Sequence, residues 1–131
     1  MKLLQVIIAI LVVAVARADE DLPRVLILGD PVYQEPAGQI SKELKGKVKV
    51  VYSRPEPGEV FNSTTILENL DKLLGEEEWD VIHFNVGLGD LVHRVPGMKG
   101  FRVLPRHAGG VRTTSPEQYE KNLNEVAGRL K

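Results

Sequence analysis

The stretch from Trp79 to Leu91 reads WDVIHFNVGLGDL, and it decides the fold. Its first part is apolar and strand-prone with little polar alternation, which is typical of a buried strand in a parallel sheet. Its second part is a glycine-punctuated turn, Gly87-Leu88-Gly89, that delivers the acid Asp90. Open α/β sheets hold their ligands at the carboxyl ends of the strands. We therefore expect a central strand over Trp79–Val86 and a functional site in the turn that follows it.

The first 18 residues are typical of a secretory signal peptide. Lys2 gives a positive start, Leu3 to Val15 is almost entirely apolar, and Ala16-Arg17-Ala18 matches an A-x-A cleavage site. The apolar run is too short for an ordinary membrane span, although an uncleaved N-terminal anchor is an alternative. We expect cleavage after Ala18, and a secreted or periplasmic domain of residues 19–131 without a stable membrane span.

Composition excludes several classes of protein. The chain carries 17 basic and 18 acidic residues, a balance that argues against nucleic-acid binding. It has no cysteine, so disulfides and cysteine ligation of a metal are both excluded. The length suffices for one domain, which must be stabilised by its own core or by a partner. We expect no cofactor.

Hydrophobic periodicity predicts alternating strands and helices. Strands are expected over Arg24–Leu28, Lys47–Tyr52 and Trp79–Val86, and helices over Ala37–Leu44, Thr64–Leu74 and Ser115–Leu130. Alternating lysines place the second strand at an edge of the sheet. Capping-box spacing occurs at Thr65 and Glu68 and again at Ser115 and Gln118. Gly75 is placed to end the second helix. We expect Ile40 and Leu44 to share one face of the first helix, and one face of the last helix to carry Tyr119, Leu123, Ala127 and Leu130. This order predicts a three-layer, doubly wound, flavodoxin-like parallel sheet, of which the chain supplies only the N-terminal half.

Three turns should meet at the carboxyl edge of this sheet: Gly29-Asp30-Pro31, the region from Pro55 to Ser63, and Gly87 to Asp90. The motifs at these turns are GDP, the Asn62-Ser63-Thr64 helix entry and HFNVGLGDL. Together with ILENLDKLLG before the third strand, they resemble the first three blocks of the SGNH/GDSL hydrolases. The likeness is strongest to a secreted subgroup with a first block L-I-G-D-S and a third block W-D-V-I-H-F-N-x-G-L-H-D-L. The resemblance covers about Arg24 to Leu130. It implies the α/β fold of a family that hydrolyses esters of lipids, acylated sugars and similar small substrates.

The same resemblance implies that the catalytic apparatus is missing. The family's nucleophile is the serine after Gly-Asp, where this chain has Pro31, which lacks both a hydroxyl and a backbone N–H. The asparagine or histidine that precedes the third-block acid in the family is Gly89 here. The family's D-x-x-H block, which supplies the base and its orienting acid, lies near the family's C-terminus, and we expect this chain to end before it. We therefore expect no ester hydrolysis by the family mechanism.

The positions that correspond to the family's site are Gly29, Asp30, Pro31, Asn62, Ser63, Gly87, Gly89 and Asp90. Asn62 and Ser63 are both candidates for the oxyanion-hole position of the second block. A substitute triad of Ser63, His107 and Asp90 can be drawn, although a serine at a helix start is more often a cap. Asn62 also begins an N-glycosylation sequon, but a capping role at the helix start comes first.

The histidines and arginines of the chain suggest two further sites. His93 and His107 can be imagined to bind a metal with Asp90, but we predict no metal site, and we expect His83 to be a core histidine. From Leu91 to Pro116 there is no acid and there are five basic residues. Three of these are candidate ligands for a sulfated or uronic sugar or a phosphate, namely Arg94, Arg102 and Arg106. A solvated loop is the simpler interpretation.

The sequence thus predicts a secreted protein of the SGNH/GDSL hydrolase lineage that is catalytically inactive or truncated. One alternative is a non-catalytic module that binds a carbohydrate or an anion at the same edge. Another is a non-functional gene fragment. In the first two cases the expected ligand is a small ester, a carbohydrate or an anion.

Overall fold

The computed structural model describes residues 22–56, 61–97 and 103–131. The predicted signal peptide and Arg102 lie outside these residues. In the described part of the chain, no helix is long and apolar enough to cross a membrane.

The chain forms a mixed α/β structure. Its strands are β1 (Arg24–Gly29), β2 (Lys49–Ser53), β3 (Val81–Asn85), β4 (His93–Arg94) and β5 (Val111–Arg112). Its helices are α1 (Gln34–Glu43), α2 (Ser63–Glu68), α3 (Leu70–Leu74), α4 (Leu88–Leu91) and α5 (Pro116–Arg129), with short 3₁₀ helices at Pro31–Tyr33 and Arg106–Ala108. The predicted alternation of strands and helices is confirmed, although the helices are more numerous than the three expected.

The first three strands form a parallel sheet in the order β2-β1-β3. The edge position predicted for β2 is therefore confirmed. The prediction that the third strand is central and buried is wrong, because β1 is central and Val81 of β3 is 54% exposed. An apolar strand sequence does not tell which side of the strand is covered. In β3, alternate residues are exposed, and only the intervening Ile82 and Phe84 pack against the core.

The core lies between one face of the sheet and three helices. Leu26 and Leu28 of β1 are fully buried and belong to one cluster with Ile66 of α2, Leu70 of α3 and Val126 of α5. Every second residue of β1 faces this side because side chains alternate along a strand. Burial of such aliphatic side chains contributes about 1.5–3 kcal/mol each relative to exposure. The core thus fixes α2 and α5 beside the end of β1.

The first helix packs separately, against β2. It begins at Gln34 rather than at the predicted Ala37, with Pro36 in its first turn, where proline costs no hydrogen bond. Ala37 is its one buried residue. Ile40, which was expected to form an apolar face with Leu44, is exposed.

The second predicted helix is interrupted at Asn69, which separates α2 from α3. Its N-cap is Asn62, whose side-chain oxygen accepts from the Thr65 N–H at 2.8 Å, so the predicted Thr65–Glu68 capping box is wrong. Gly75 ends α3 with a positive φ of 69°, as its C-terminal position indicated. The Ser115 cap of α5 is confirmed, since its hydroxyl accepts from the Gln118 N–H at 3.2 Å.

The segment predicted as a long loop, Leu91 to Thr114, contains a small antiparallel hairpin. β4 pairs with β5, and Arg94 also forms an isolated bridge with Val103. The hairpin is joined to the turn after α4, because the N–H and the hydroxyl of Thr113 both donate to the Val92 carbonyl at 3.1 and 3.0 Å. This connection places the start of α5 next to α4.

Candidate functional site

The carboxyl edge of the sheet contains a buried pair formed by Ser63 and Asp90. Asp90 lies in α4, directly after β3, and Ser63 is the first residue of α2. The Ser63 N–H donates to both carboxylate oxygens at 2.9 and 3.1 Å, and the Ser63 hydroxyl donates to one of them at 2.7 Å. The N-terminus of a helix favours a negative charge. The Asp90 carboxylate is thus stabilised by three hydrogen bonds from Ser63.

A chain of side-chain hydrogen bonds continues from this pair into α5. The Asn122 amide donates to the Ser63 hydroxyl at 2.9 Å and to the Thr64 hydroxyl at 3.0 Å. The Gln118 amide in turn donates to the Asn122 carbonyl oxygen at 2.7 Å. The predicted capping box at Ser115 is therefore incomplete, since the Gln118 side chain bonds to Asn122. Three segments that are distant in sequence meet in one buried polar network.

Asn122 was missed by the sequence analysis, although a signal for it exists. The face predicted for the last helix ran through Tyr119, Leu123, Ala127 and Leu130, but the fully buried hydrophobic residue of α5 is Val126. A stripe with the helical spacing 119, 122, 123, 126 and 130 includes one buried amide. Buried amides need hydrogen-bond partners, so an asparagine on this stripe points to a polar network.

Neither candidate for the oxyanion-hole position is free to serve as one. The Asn62 side chain accepts from the N–H and the hydroxyl of Thr65, at 2.8 and 3.0 Å, as a helix cap does. The Ser63 N–H is directed at Asp90. Both residues are buried, and both contribute to the start of α2.

Asp30 is the second buried acid of the edge. Its carboxylate accepts a long hydrogen bond of 3.4 Å from the Leu88 N–H. Burial raises the pKa of Asp30, and the charge of Asp90 raises it further, while the N–H groups of Leu88 and Gly87 oppose the shift. Asp30 and Asp90 are thus close enough for their charges to interact.

The first turn, Gly29-Asp30-Pro31, is fixed through its backbone carbonyl groups, and Pro31 is exposed. The Tyr52 hydroxyl donates to the carbonyls of Gly29 and Asp30 at 3.1 and 3.0 Å, and burial raises the pKa of Tyr52. Pro31 then opens a 3₁₀ helix on the surface. The position that would carry a nucleophile is accessible, but its side chain has no nucleophilic atom.

Gly89 is required by close backbone approach. A Cβ atom at this position would lie 1.7 Å from the carbonyl oxygen of Phe61, a distance that no real contact allows. The asparagine or histidine found here in the resembling family therefore does not fit in this backbone arrangement. The absence of a side chain at Gly89 thus allows the close approach of the segment that leads into α2.

Gly87 and Tyr119 connect the same turn to α5. The Tyr119 hydroxyl donates to the Val86 carbonyl at 2.7 Å, and a Cβ atom on Gly87 would lie 3.1 Å from that hydroxyl. Burial raises the pKa of Tyr119, as do the charges of Asp90 and Asp30. Together with Thr114 and Pro116, these residues border a cavity of about 260 Å³.

His83 and His107 lie outside the site, and His93 is half-buried in β4. His83 is exposed on β3 and packs against the Tyr33 ring with a centroid distance of 5.8 Å, so the prediction of a core histidine is wrong. His107 is exposed in a 3₁₀ helix, and the recorded side-chain partners of Ser63 are Asp90 and Asn122. Within residues 22–56, 61–97 and 103–131, no three histidines or acids are placed to hold a metal ion.

The candidate anion-binding arginines differ from each other. Arg94 is half-buried, and its Nε and one terminal nitrogen have no hydrogen-bond partner in the described part of the chain. Burial lowers the pKa of Arg94, although the charge of Asp90 opposes this shift. Arg106 is exposed. Of the two candidates that the structure describes, Arg94 is the one that combines a partly desolvated charge with donors that have no partner among those residues.

Comparisons with protein-family models, with curated proteins and with solved structures give no match to this chain. The interpretation of the edge therefore depends on its geometry. A carboxylate, a hydroxyl and an amide lie together there, but the Ser63 hydroxyl donates to the Asp90 carboxylate and accepts from the Asn122 amide. The arrangement stabilises the junction of β3, α2 and α5.

The Asp90 carboxylate should be a major source of stability. In an Asp90→Asn variant, one acceptor oxygen becomes a donor that faces the Ser63 N–H, which leaves buried groups unpaired. We expect the free energy of unfolding to fall by about 2 kcal/mol in urea denaturation. The control is Asp71→Asn, which removes an exposed acid paired with Arg129 and should cost less than about 0.5 kcal/mol. Equal losses in the two variants would contradict the role of Asp90.

A second pair of variants tests the close approach at Gly89. Gly89→Ala should destabilise the protein by about 1–3 kcal/mol, because the Phe61 carbonyl must move to admit the methyl group. Gly38→Ala, in the middle of α1 with open space around it, should instead stabilise by about 0.5–1 kcal/mol. Thermal unfolding of both variants measures the contrast. If Gly89→Ala leaves the stability unchanged, the space between residue 89 and the Phe61 carbonyl is open and the close approach is contradicted.

Asp30 should make stability depend on pH. Its pKa is raised in the folded protein, so its contribution is fully present below the pKa of the unfolded chain, near 3.8, and is lost as pH rises through the folded value. An Asp30→Asn variant removes this loss. We therefore expect the variant to be more stable than the wild type at pH 7, and the difference to shrink toward pH 4. Urea denaturation at several pH values measures it, and a difference that grows on acidification would contradict the sign.

Proposed function

We propose that this chain is an exported, non-catalytic domain of the SGNH/GDSL hydrolase lineage, with a flavodoxin-like, doubly wound architecture. The strand order β2-β1-β3 is compatible with that architecture, because the chain reverses its direction of winding at β1. The turns that carry the sequence resemblance also lie together, with Asp30 next to Leu88 and Asp90 next to Ser63. These observations support common ancestry with enzymes that act on small esters.

The burial of Ser63 is the observation on which the absence of catalysis depends. Ser63 has an exposed fraction of 0%, and its hydroxyl donates to Asp90 while it accepts from Asn122. A serine nucleophile needs a base within hydrogen-bond reach and access to the substrate carbonyl. Ser63 contacts an acid and an amide instead of a histidine. Pro31, which is accessible, has no hydroxyl.

A second candidate function is the binding of an anion, and Arg94 favours it. Two of its guanidinium nitrogens are buried without partners among the described residues. A sulfate or carboxylate group can accept two hydrogen bonds from one guanidinium. Arg106 is too exposed to add more than a screened charge.

A covalent serine probe tests the main proposal. The purified protein is incubated with a fluorophosphonate, and the adduct is sought at Ser63 by peptide mass spectrometry, in parallel with p-nitrophenyl acetate turnover. We expect no adduct at Ser63 and turnover equal to that of the heat-denatured protein. A Pro31→Ser variant should behave in the same way, because a hydroxyl without a base is a weak nucleophile.

Labelling of Ser63 or turnover of the ester would contradict the proposal. An adduct at Ser63, together with ester turnover that the probe abolishes, would overturn the non-catalytic assignment. Turnover without an adduct at Ser63 would place the chemistry at another residue and would contradict the proposal as well. The controls are a known serine esterase, which must be labelled, and the unfolded chain, which must not be.

A further inference from the structure

The cavity of about 260 Å³ beside α5 is separate from the turn at Pro31. It lies between α4 and the start of α5, and its lining residues are Gly87, Asp90, Leu91, Arg112, Thr114, Ser115, Pro116 and Tyr119. Leu91, Pro116 and the ring of Tyr119 give it apolar walls. Ligand sites are typically apolar concavities with a few polar groups that fix orientation. The cavity has this composition.

Thr114 supplies a hydrogen-bonding group in the cavity wall. It is 7% exposed, and its hydroxyl has no partner in the part of the chain that the structure describes. Nearly all buried hydroxyls in proteins have a hydrogen-bond partner. The neighbouring hydroxyls are already engaged, because Thr113 donates to Val92 and Ser115 caps α5. The Thr114 hydroxyl thus has no partner of its own among the described residues, and because its oxygen is buried, the side chain must rotate toward the cavity to bond to a ligand.

Arg112 gives the wall a positive charge. Within the described residues it forms no ion pair, and its exposed position keeps the guanidinium accessible. Two acids lie nearby. Asp90 is satisfied by its bonds to Ser63, and Glu117 is fully exposed on the first turn of α5, where hydrogen bonds with its own backbone N–H and with the Ser115 side chain lower its pKa and the Arg112 charge lowers it further. Among the described residues, neither acid forms an ion pair with the Arg112 guanidinium.

We propose that this cavity binds a small monocarboxylate with an apolar aromatic or branched body. The body packs against Leu91, Pro116 and Tyr119, and the carboxylate pairs with Arg112 and accepts from the Thr114 hydroxyl. The volume is below the usual range of about 300–1,000 Å³ for ligand pockets, so a molecule of the size of benzoate fits and an oligosaccharide does not. This inference does not depend on the lineage of the chain or on its lack of esterase activity.

Three probes separate the parts of the ligand. Benzoate has the body and the charge, benzamide has the body alone, and acetate has the charge alone. We expect benzoate to bind with a dissociation constant on the order of 1 mM, and the other two to bind at least about fivefold more weakly. Amide chemical shifts in a two-dimensional NMR titration measure the affinity. The largest shifts should fall on Gly87, Leu91, Thr114 and Tyr119.

Matched pairs of variants test the positive charge of Arg112 and the apolar wall at Leu91. Arg112→Gln should weaken benzoate about tenfold and leave benzamide unchanged, whereas Arg106→Gln, an exposed arginine outside the lining, should change neither. Leu91→Ser should weaken both ligands that carry the ring. Its control is Val103→Ser, which removes an exposed apolar side chain that does not line the cavity.

Thr114→Val gives a readout that a purely structural role does not produce. The change removes an unpartnered buried hydroxyl, so the free protein should melt at a higher temperature, while benzoate binds more weakly. Benzoate binding that is absent at 10 mM would overturn the proposal. The same holds for shifts that map away from the cavity, or for an affinity that is unchanged in Arg112→Gln or Thr114→Val.

Discussion

The hydrogen bonds between the Asp90 carboxylate and the first residue of α2 are the interaction on which the carboxyl edge depends. A buried carboxylate is costly unless its lone pairs are satisfied, and here the backbone and the hydroxyl of Ser63 satisfy them. The bond direction fixes where α2 begins relative to the end of β3. Asn122 extends the same constraint to α5. One acid therefore helps to position three elements, which are also linked by the Tyr119 hydrogen bond to the Val86 carbonyl and by apolar packing, which is less directional.

This constraint also limits what the edge can do. Groups that resemble catalytic machinery in the sequence serve as structural partners in the fold: the Ser63 hydroxyl lies between an acid and an amide, and Asn62 caps a helix. Gly89 allows the Phe61 carbonyl to approach, which leaves no space for a side chain that could bind an oxyanion. What remains open lies beside the network, where Thr114 and Arg112 border an apolar cavity. The proposed binding of a carboxylate depends on these groups.

Much of the fold was predictable because local chemistry specifies it. Apolar runs predicted three parallel strands, and Ser115 and Gly75 marked a helix start and a helix end through capping chemistry that requires no distant partner. The site was only partly predictable. Glycine-containing turns located the edge, and the structure brings Ser63 and Asp90 together there. The buried position of Asn122 was missed because the apolar stripe of α5 was placed one position away.

The sequence by itself determined the element types, the edge position of β2 and the absence of a nucleophile at Pro31, since each follows from residue chemistry at one place in the chain. Only the tertiary structure decided that β3 lies at the other edge, with His83 exposed, because strand order depends on which faces the helices cover. It also decided that Ser63 is a buried partner of Asp90 rather than an accessible hydroxyl. The physical reason is that hydrogen bonds between residues 27 positions apart depend on packing, which no local pattern encodes.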